Sequence, residues 1–520
     1  MGANANGCHG APIAAAQLTN SEAKTEGLGE ESNKEWRPRA PVPFGLLPKT
    51  PIAALQSLAG CPTRLRLRAL CWAFSPVQRV CVHSVNRLYN RTSVSTGLTR
   101  LPLMLSAVLA ALDAQRIWDH CDALGRLSEL EGGLTRVFLS PQQREANALV
   151  LAWMREAGMT ANVDAMGNCV GRYEGAQPGL PCLMLGSHLD TVRDAGQYDG
   201  MLGVLSAIEC VAALTATGTR LPFAIEVVGF GDEEGVRFGS TLLGSRAIAG
   251  TFDPAVLAKT DADGITMRDA LTAFGIDPAR YAMAARRPGQ VLAYAELHIE
   301  QGPVLEAAGL PVGVVTAING GNRCTIELTG MAGHAGTVPM GLRRDALAAA
   351  AECVVAVERI AASLPEIVGT VGRIEARPGA MNVIPGKVTF SLDVRAPTDD
   401  RRHAAVAAIH AAIAEIARRR NVGLAVTPIW EARTAPCALD LQKQFAAAIH
   451  DEGIGVHRLP SGAGHDGMAI IDIAPIGMLF VRCEGGISHN PAEAVTLDDV
   501  ATGARVLSRF ILAFTAPKPG

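Results

Sequence analysis

The alternation of apolar and polar positions becomes regular from Ala114 onward. Four short apolar runs predict buried strands, at Cys182–Leu185, Ala224–Gly229, Val291–Leu297 and Gly477–Val481. Helical spacing separates most of them, and the predicted helices are Ala114–Leu127, Pro141–Ala157 behind an N-cap at Ser140, Val204–Thr215 and Leu439–Asp451. Strands that alternate with helices predict an α/β domain with a mixed, mostly parallel sheet flanked by helices.

The rhythm changes between residues 318 and 430. Strand-like segments and two alanine-rich helices predict a compact α+β unit there, from Cys324–Leu328, Asp345–Ser363, Gly369–Glu375, Lys387–Val394 and Arg401–Arg420. The earlier alternation resumes afterwards, so this unit is expected to be inserted into the first domain. The expected divisions are residues 111–317 and 431–520 for the main domain and 318–430 for the insert.

Residues 1–110 have a different composition. No Asp or Glu occurs from Trp36 to Leu112, whereas arginines accumulate. An acid-free, arginine-rich leader is typical of a transit segment, but this one does not begin the chain, and we favour a disordered or non-native extension. Its apolar run Leu101–Leu112 is shorter than the roughly 20 residues of a membrane span and predicts the buried face of a helix.

Charge and cysteine usage narrow the function. The net charge is -3 and aromatic residues make up 4% of the chain, so neither nucleic acid nor a membrane is an expected partner. The 12 cysteines are scattered singly, which argues against a thiolate metal site and against a disulfide scaffold and suits a reducing, cytoplasmic location. Any metal must therefore be held by histidines and carboxylates.

Candidate metal ligands follow four of the predicted strands. They are His188 with Asp190, Asp199, the run Asp232-Glu233-Glu234, His298 and, after the last strand, His489. Taken one at a time, each is explained as a structural histidine, a turn residue or a solvated acidic loop. Strand ends of an open α/β sheet converge on one crevice, however, and carboxylates crowded there need a cation to offset their charge.

Donor chemistry assigns these residues to two divalent ions, Zn²⁺ or Mn²⁺. His188, Asp199 and His298 would hold one ion, and Asp199, Glu234 and His489 the other, with the Asp199 carboxylate shared. Glu233 is left free as a general base beside an activated water. Asp190 is the expected acceptor for the other ring nitrogen of His188.

The pattern His188-x-Asp190, Asp199-Gly200, Asp232-Glu233-Glu234, His298 and His489 resembles the M20 family of metallopeptidases and amidohydrolases, from about residue 115 to 515. The resemblance implies that the insert is a ferredoxin-like lid and dimerisation domain, and hence a homodimer. Further stretches resemble the carbamoylase and allantoate amidohydrolase branch, namely 298–306, 333–339, 382–386, 393–395 and 461–466. His298 stands where a peptidase of the family usually has an acid.

That branch implies a small substrate with a ureido group near a carboxylate. Its motifs assign Asn382 and Arg395 to a carboxylate clamp, Gln301 to a ureido contact, and His334 to stabilisation of the reaction intermediate across the dimer. His465 and Asp466 are expected to shape the pocket wall.

The favoured function is allantoate amidohydrolase, which releases ammonia and carbon dioxide to give ureidoglycine. The alternatives are N-carbamoyl-L-amino-acid hydrolase or β-ureidopropionase, then an aminopeptidase or a metal-free binding relative.

Overall fold

A computed structural model describes residues 100–517 of the chain. Helices account for much of it: α1 Arg100–Ala110, α2 Ala114–Gly125, α3 Pro141–Glu156, α4 Met201–Ala216, α5 Leu243–Ala249, α6 Met267–Ala273, α7 Val304–Ala308, α8 Ala346–Ser363, α9 Asp399–Arg419, α10 Leu439–Asp451, α11 Gly467–Ile470 and α12 Leu497–Ala513. Short 3-10 turns lie at Pro254–Ala258, Pro278–Ala284, Met340–Leu342 and Glu484–Gly486.

Nine strands form the larger sheet: β1 Thr160–Val163, β2 Cys169–Tyr173, β3 Cys182–His188, β4 Ala224–Phe230, β5 Val291–Ile299, β6 Val312–Ile318, β14 Ala435–Pro436, β15 Arg458–Ser461 and β16 Ile476–Val481. Their order is β1-β2-β4-β3-β5-β16-β6-β14, with β15 also paired to β6. The central strands β4, β3, β5 and β16 run parallel, and antiparallel pairings lie on both sides of them.

The central strands are mostly apolar because both faces of the sheet are covered. Leu183 and Leu185 of β3 pack into a core shared with α4 and α12, whereas Met184 faces a second core on the other side that includes Ile470 of α11. Every residue of β3, β4 and β16 is buried. This burial explains why the sequence shows continuous apolar runs rather than alternation there.

The chain leaves the larger sheet after β6 and builds the insert. Its five-stranded antiparallel sheet contains β7 Gly320–Thr329, β9 Val368–Thr370, β10 Ile374–Arg377, β12 Lys387–Ala396 and β13 Gly423–Ala432, and a two-stranded ribbon contains β8 Gly333–His334 and β11 Val383–Ile384. Helices α8 and α9 pack against this sheet around a core of their own. We call this unit the lid.

The expected α/β class with an inserted α+β unit is confirmed. Strands β1, β2, β6, β14 and β15 of the larger sheet were not predicted, and the lid differs as well. The predicted strand Gly369–Glu375 is two strands, β9 and β10, and edge strand β13 was not predicted because its residues are almost all exposed and it contains Pro428.

Within the predicted extension, helix α1 covers most of the apolar run Leu101–Leu112, and its Val108 is buried in the main core. Residues 1–99 lie outside the described residues. None of the helices between residues 100 and 517 is both long enough and apolar enough to cross a membrane.

Candidate metal centre

The parallel strands deliver the predicted ligands to one edge of the sheet. His188 is the last residue of β3 and lies opposite Phe230, the last residue of β4, from which the chain continues to Glu234. His298 lies near the end of β5, opposite Phe480 of β16. Residues far apart in sequence therefore meet where these strands end, as expected for an open α/β sheet.

The Asp199 carboxylate lies between two groups of potential ligands. Its Oδ1 is 3.2 Å from His298 Nε2 and 3.9 Å from His188 Nε2. Its Oδ2 is 3.1 Å from His489 Nε2, which lies 3.3 Å from Glu234 Oε1. Within each group, His188–Asp199–His298 and Asp199–Glu234–His489, the ligand atoms lie within 4.8 Å of one another. A carboxylate with one oxygen facing each group is the arrangement that can bridge two ions.

The histidine rings are oriented as metal ligands require. His188 Nδ1 lies 2.9 Å from the backbone carbonyl of Asp190, and His298 Nδ1 lies 2.9 Å from the carbonyl of Ile299. A carbonyl can only accept, so each Nδ1 carries a proton, and in the neutral ring the lone pair of Nε2 is the one available to a metal. His298 Nε2 is buried and has no hydrogen-bond partner among the described residues. The donor set therefore fits divalent ions of the kind that prefer imidazole and carboxylate.

The buried negative charge of the site also favours bound cations. Burial raises the pKa of Glu233 well above its ordinary value, and the nearby charges of Glu234 and Asp466 raise it further. Burial opposes ionisation of Asp199, but the hydrogen bond from His489 and the charges of the other two histidines hold its pKa below the ordinary value. The site thus gathers more carboxylates than its histidines can offset, and this excess favours cations.

The backbone at the site adopts left-handed conformations at several positions. Asp232, Gln301 and His489 adopt left-handed φ values of 61°, 56° and 53°, which non-glycine residues rarely occupy. Gly200 has a φ of 70°, and a Cβ there would lie 2.6 Å from the His188 ring. Only glycine allows the turn after Asp199 to pass so close to that ring.

Asp190 acts differently from the expectation. Its carboxylate lies 4.0 Å from His188 Nδ1, which contacts the Asp190 backbone carbonyl instead. The carboxylate oxygens accept hydrogen bonds from the backbone N–H groups of Glu233 and Glu234, at 3.1 and 3.3 Å. Asp190 therefore holds the acidic loop in place, and its main chain rather than its side chain orients His188.

Glu233 and Gln301 both lie beside the two ligand groups. Glu233 is 8% exposed, and its Oε1 faces Gly464, where a Cβ would lie 3.6 Å away. The Gln301 amide nitrogen donates to both oxygens of Asp199, each at 3.1 Å. The side chain expected to contact the substrate is thus directed at the Asp199 carboxylate in this structure.

The lid residues occupy two places. His334 is the last residue of β8, and Asn382 directly precedes β11, the strand that pairs with β8. No hydrogen bond or ion pair described for residues 100–517 joins either of them to the five ligands. Arg395 reaches the main domain, since its Nη1 donates to the Gly462 carbonyl at 2.7 Å while its Nε and Nη2 pair with Asp393.

The sequence reasoning missed several buried polar residues around the centre. Glu296 accepts a hydrogen bond from Ser187 at 2.8 Å and lies two residues before His298, on the same side of β5. That spacing was a usable signal. Glu493 accepts hydrogen bonds from the backbone of Asp199, and nothing in its sequence context indicated this contact.

His465 was expected in the pocket wall, and it packs edge-on against His298 with ring centroids 4.4 Å apart. Its neighbour Asp466 is fully buried. Both residues are therefore buried beside the candidate metal centre, on the side of His298.

Comparisons with known proteins are consistent with this site. The model for peptidase family M20/M25/M40 matches residues 184–513. An N-carbamoyl-L-amino acid amidohydrolase of Geobacillus stearothermophilus is 44% identical over 76% of this chain and 97% of its own length. Allantoate deiminase 1 of Glycine max is 41% identical over 74% of this chain and 86% of its own length.

A solved structure agrees with these relatives. The amidase of the hydantoinase/carbamoylase family from Burkholderia multivorans has a TM-score of 0.73 and 34% identity, covering 78% of this chain and 98% of that one.

We expect His298→Ala to reduce the divalent metal retained by the purified protein, because it removes one donor from the group around His188. Elemental analysis after dialysis measures this change. The control is His450→Ala, at an exposed ring on α10, which should keep the wild-type metal content. Equal metal content in both variants would contradict the assignment.

Proposed function

Because the chain belongs to peptidase family M20/M25/M40, we propose that it is a metal-dependent hydrolase of ureido groups on small, carboxylate-bearing substrates. The observation that carries the proposal is the pair of ligand groups sharing Asp199, with Glu233 beside them. His298 adds support, since it supplies a neutral imidazole where a peptidase of the family usually has an acid. The named relatives that cleave carbamoyl and ureido bonds support the same reaction class.

The residues divide the work as follows. His188, Asp199 and His298 would hold one ion, and Asp199, Glu234 and His489 the other. Such ions, when bound, polarise a carbonyl and acidify water.

Glu233 would accept a proton from the attacking water and pass it to the departing nitrogen. Water adds to the ureido carbon, the C–N bond breaks, and the carbamate released decomposes to ammonia and carbon dioxide.

Arg395 would bind the substrate carboxylate. Its guanidinium has five N–H donors, and three of them are used by Asp393 and Gly462. One donor on each terminal nitrogen remains for a carboxylate. Gly462 lies two residues before Gly464, which faces Glu233, so a small molecule could reach both groups.

Allantoate is the substrate we favour, because residues 186–200 and 232–238 resemble the corresponding stretches of allantoate deiminases and because the chain is similar to allantoate deiminase 1 of Glycine max. The second candidate is an N-carbamoyl-L-amino acid, favoured by the 44% identity to the Geobacillus amidohydrolase; a β-ureido acid would use the same chemistry. All of these molecules combine a ureido group with a carboxylate.

An ammonia-release assay with Mn²⁺ tests the function directly. We expect turnover of allantoate above that of N-carbamoyl amino acids, and Glu233→Gln should lower the rate about 10²–10⁴-fold while the protein keeps its metal. Faster turnover of N-carbamoyl amino acids would favour the second candidate. Dipeptide cleavage without ammonia release would favour an aminopeptidase, and a protein indifferent to metal and chelator would favour a binding relative.

We expect Arg395→Ala to raise KM for carboxylate substrates roughly tenfold or more, since charge-assisted hydrogen bonds contribute about 1.5–3 kcal/mol each. Arg323→Ala is the matched control, because Arg323 pairs with the same Asp393 and is more exposed. Steady-state kinetics on a ureido acid and on its carboxamide analogue make the comparison. An unchanged KM in Arg395→Ala would rule out the clamp.

We also propose that the lid forms a homodimer in which His334 acts on the partner's substrate. Support comes from exposed apolar side chains near His334 on the lid loops: Met331, Met340, Leu342 and Met381 are between 65% and 104% exposed. Exposed apolar side chains that lie together on a protein surface often mark an interface with another protein.

If His334 is shared in this way, mixing inactive His334→Ala and Glu233→Gln subunits should restore part of the ureidohydrolase activity. A mixed dimer then contains one site with both residues intact. Differently tagged subunits and tandem purification establish that mixed dimers have formed. Mixed dimers without activity would contradict a shared site.

A further inference from the structure

A buried carboxylate outside the ligand set links the two loops that carry Asp199 and His489. Glu493 Oε1 accepts hydrogen bonds from the backbone N–H groups of Tyr198 and Asp199, at 2.8 and 3.1 Å. Its Oε2 accepts the hydroxyl of Ser488 at 2.7 Å. Ser488 directly precedes His489. One side chain therefore contacts the backbone of one proposed ligand, Asp199, and the residue that precedes another, His489, almost three hundred positions away.

The link continues to a third loop. The Gln301 amide nitrogen donates to Ser488 Oγ at 3.2 Å and to both oxygens of Asp199 at 3.1 Å. Ser488 thus accepts from Gln301 while it donates to Glu493. This closed arrangement fixes the hydroxyl of Ser488 and with it the strained backbone of His489, whose φ is 53°.

Gly196 packs directly against the Glu493 side chain and leaves no space for a larger residue. A Cβ on Gly196 would lie 2.3 Å from the Cβ and Cδ of Glu493 and 2.4 Å from its Oε1. Separations this short force one of the two groups to move. An alanine at position 196 would therefore displace the Glu493 carboxylate without removing its charge.

We propose that Glu493 is a positioning residue that sets the spacing of Asp199 and His489 and thereby tunes the affinity of the Asp199–Glu234–His489 group for its ion. The inference rests on the proposed function only in assuming that this group holds a metal. Its chemical basis is general: residues that orient metal ligands typically alter affinity about 10- to 100-fold when mutated. The His188–Asp199–His298 group shares Asp199 but does not include His489, and backbone carbonyls fix its histidine rings, so it should depend on Glu493 less.

Calorimetric titration of metal-free protein with Mn²⁺ tests this without a substrate. The variants are Glu493→Gln, which keeps one acceptor oxygen, Ser488→Ala, which keeps the Asp199 contact, and Gly196→Ala. The matched control is Asp499→Asn, at a carboxylate 3% exposed that pairs with Arg482 and the N-cap Thr496. Thermal unfolding of each protein accompanies the titration.

We expect the wild type to bind two equivalents of Mn²⁺. The three variants should bind one equivalent with wild-type affinity and the other about 10- to 100-fold more weakly. Asp499→Asn should lower Tm while both affinities stay at the wild-type value, so a general loss of stability is distinguished from a change at one ion.

Wild-type binding of both equivalents in Glu493→Gln and Gly196→Ala would overturn the inference, and so would equal weakening of both ions. Failure of the proposed function is separate. A wild type that binds two ions and hydrolyses no ureido acid would refute the activity, while the selective weakening of one ion in the variants would still support the role of Glu493.

Discussion

The rest of the site depends on the position of the Asp199 carboxylate between the two groups of potential ligands. Its two oxygens face different histidines, 3.2 Å from His298 on one side and 3.1 Å from His489 on the other. A buried carboxylate in that position is stable only if positive charge lies close to both oxygens. The fold must therefore bring several separate segments to within a few ångströms of one residue, and it does so by ending parallel strands at the same edge of the sheet.

Holding the segments there requires support from behind the ligands. Asp190 fixes the acidic loop through two backbone N–H groups, and Glu493 fixes the segment of Asp199 in the same way. The left-handed backbone of Asp232, Gln301 and His489 is a local cost of this arrangement, of order 1–3 kcal/mol each. The sheet, buried on both faces, supplies the rigidity that lets such conformations persist.

The sequence was most informative where one physical requirement dominated. Strands buried on both faces are mostly apolar, so β3, β4, β5 and β16 could be recognised, and the candidate ligands at or after their ends with them. Edge strand β13 is exposed on most of its length and shows no such pattern. The contacts of Glu493 and the backbone contact of His188 depend on tertiary positions of carbonyl and N–H groups, which residue identity does not encode locally.

Substrate choice depends on residues outside the two ligand groups. The ligand groups and Glu233 would act on the ureido carbonyl, which allantoate and N-carbamoyl amino acids share, so the metal centre itself has no means of distinguishing them. Selection must come from groups that touch the remainder of the substrate. Arg395 would recognise a carboxylate common to both, and its contact with Gly462 ties the lid to the loop that faces Glu233. Discrimination between these substrates should therefore lie in the other lid and loop residues around that contact, where relatives can differ without disturbing the ions.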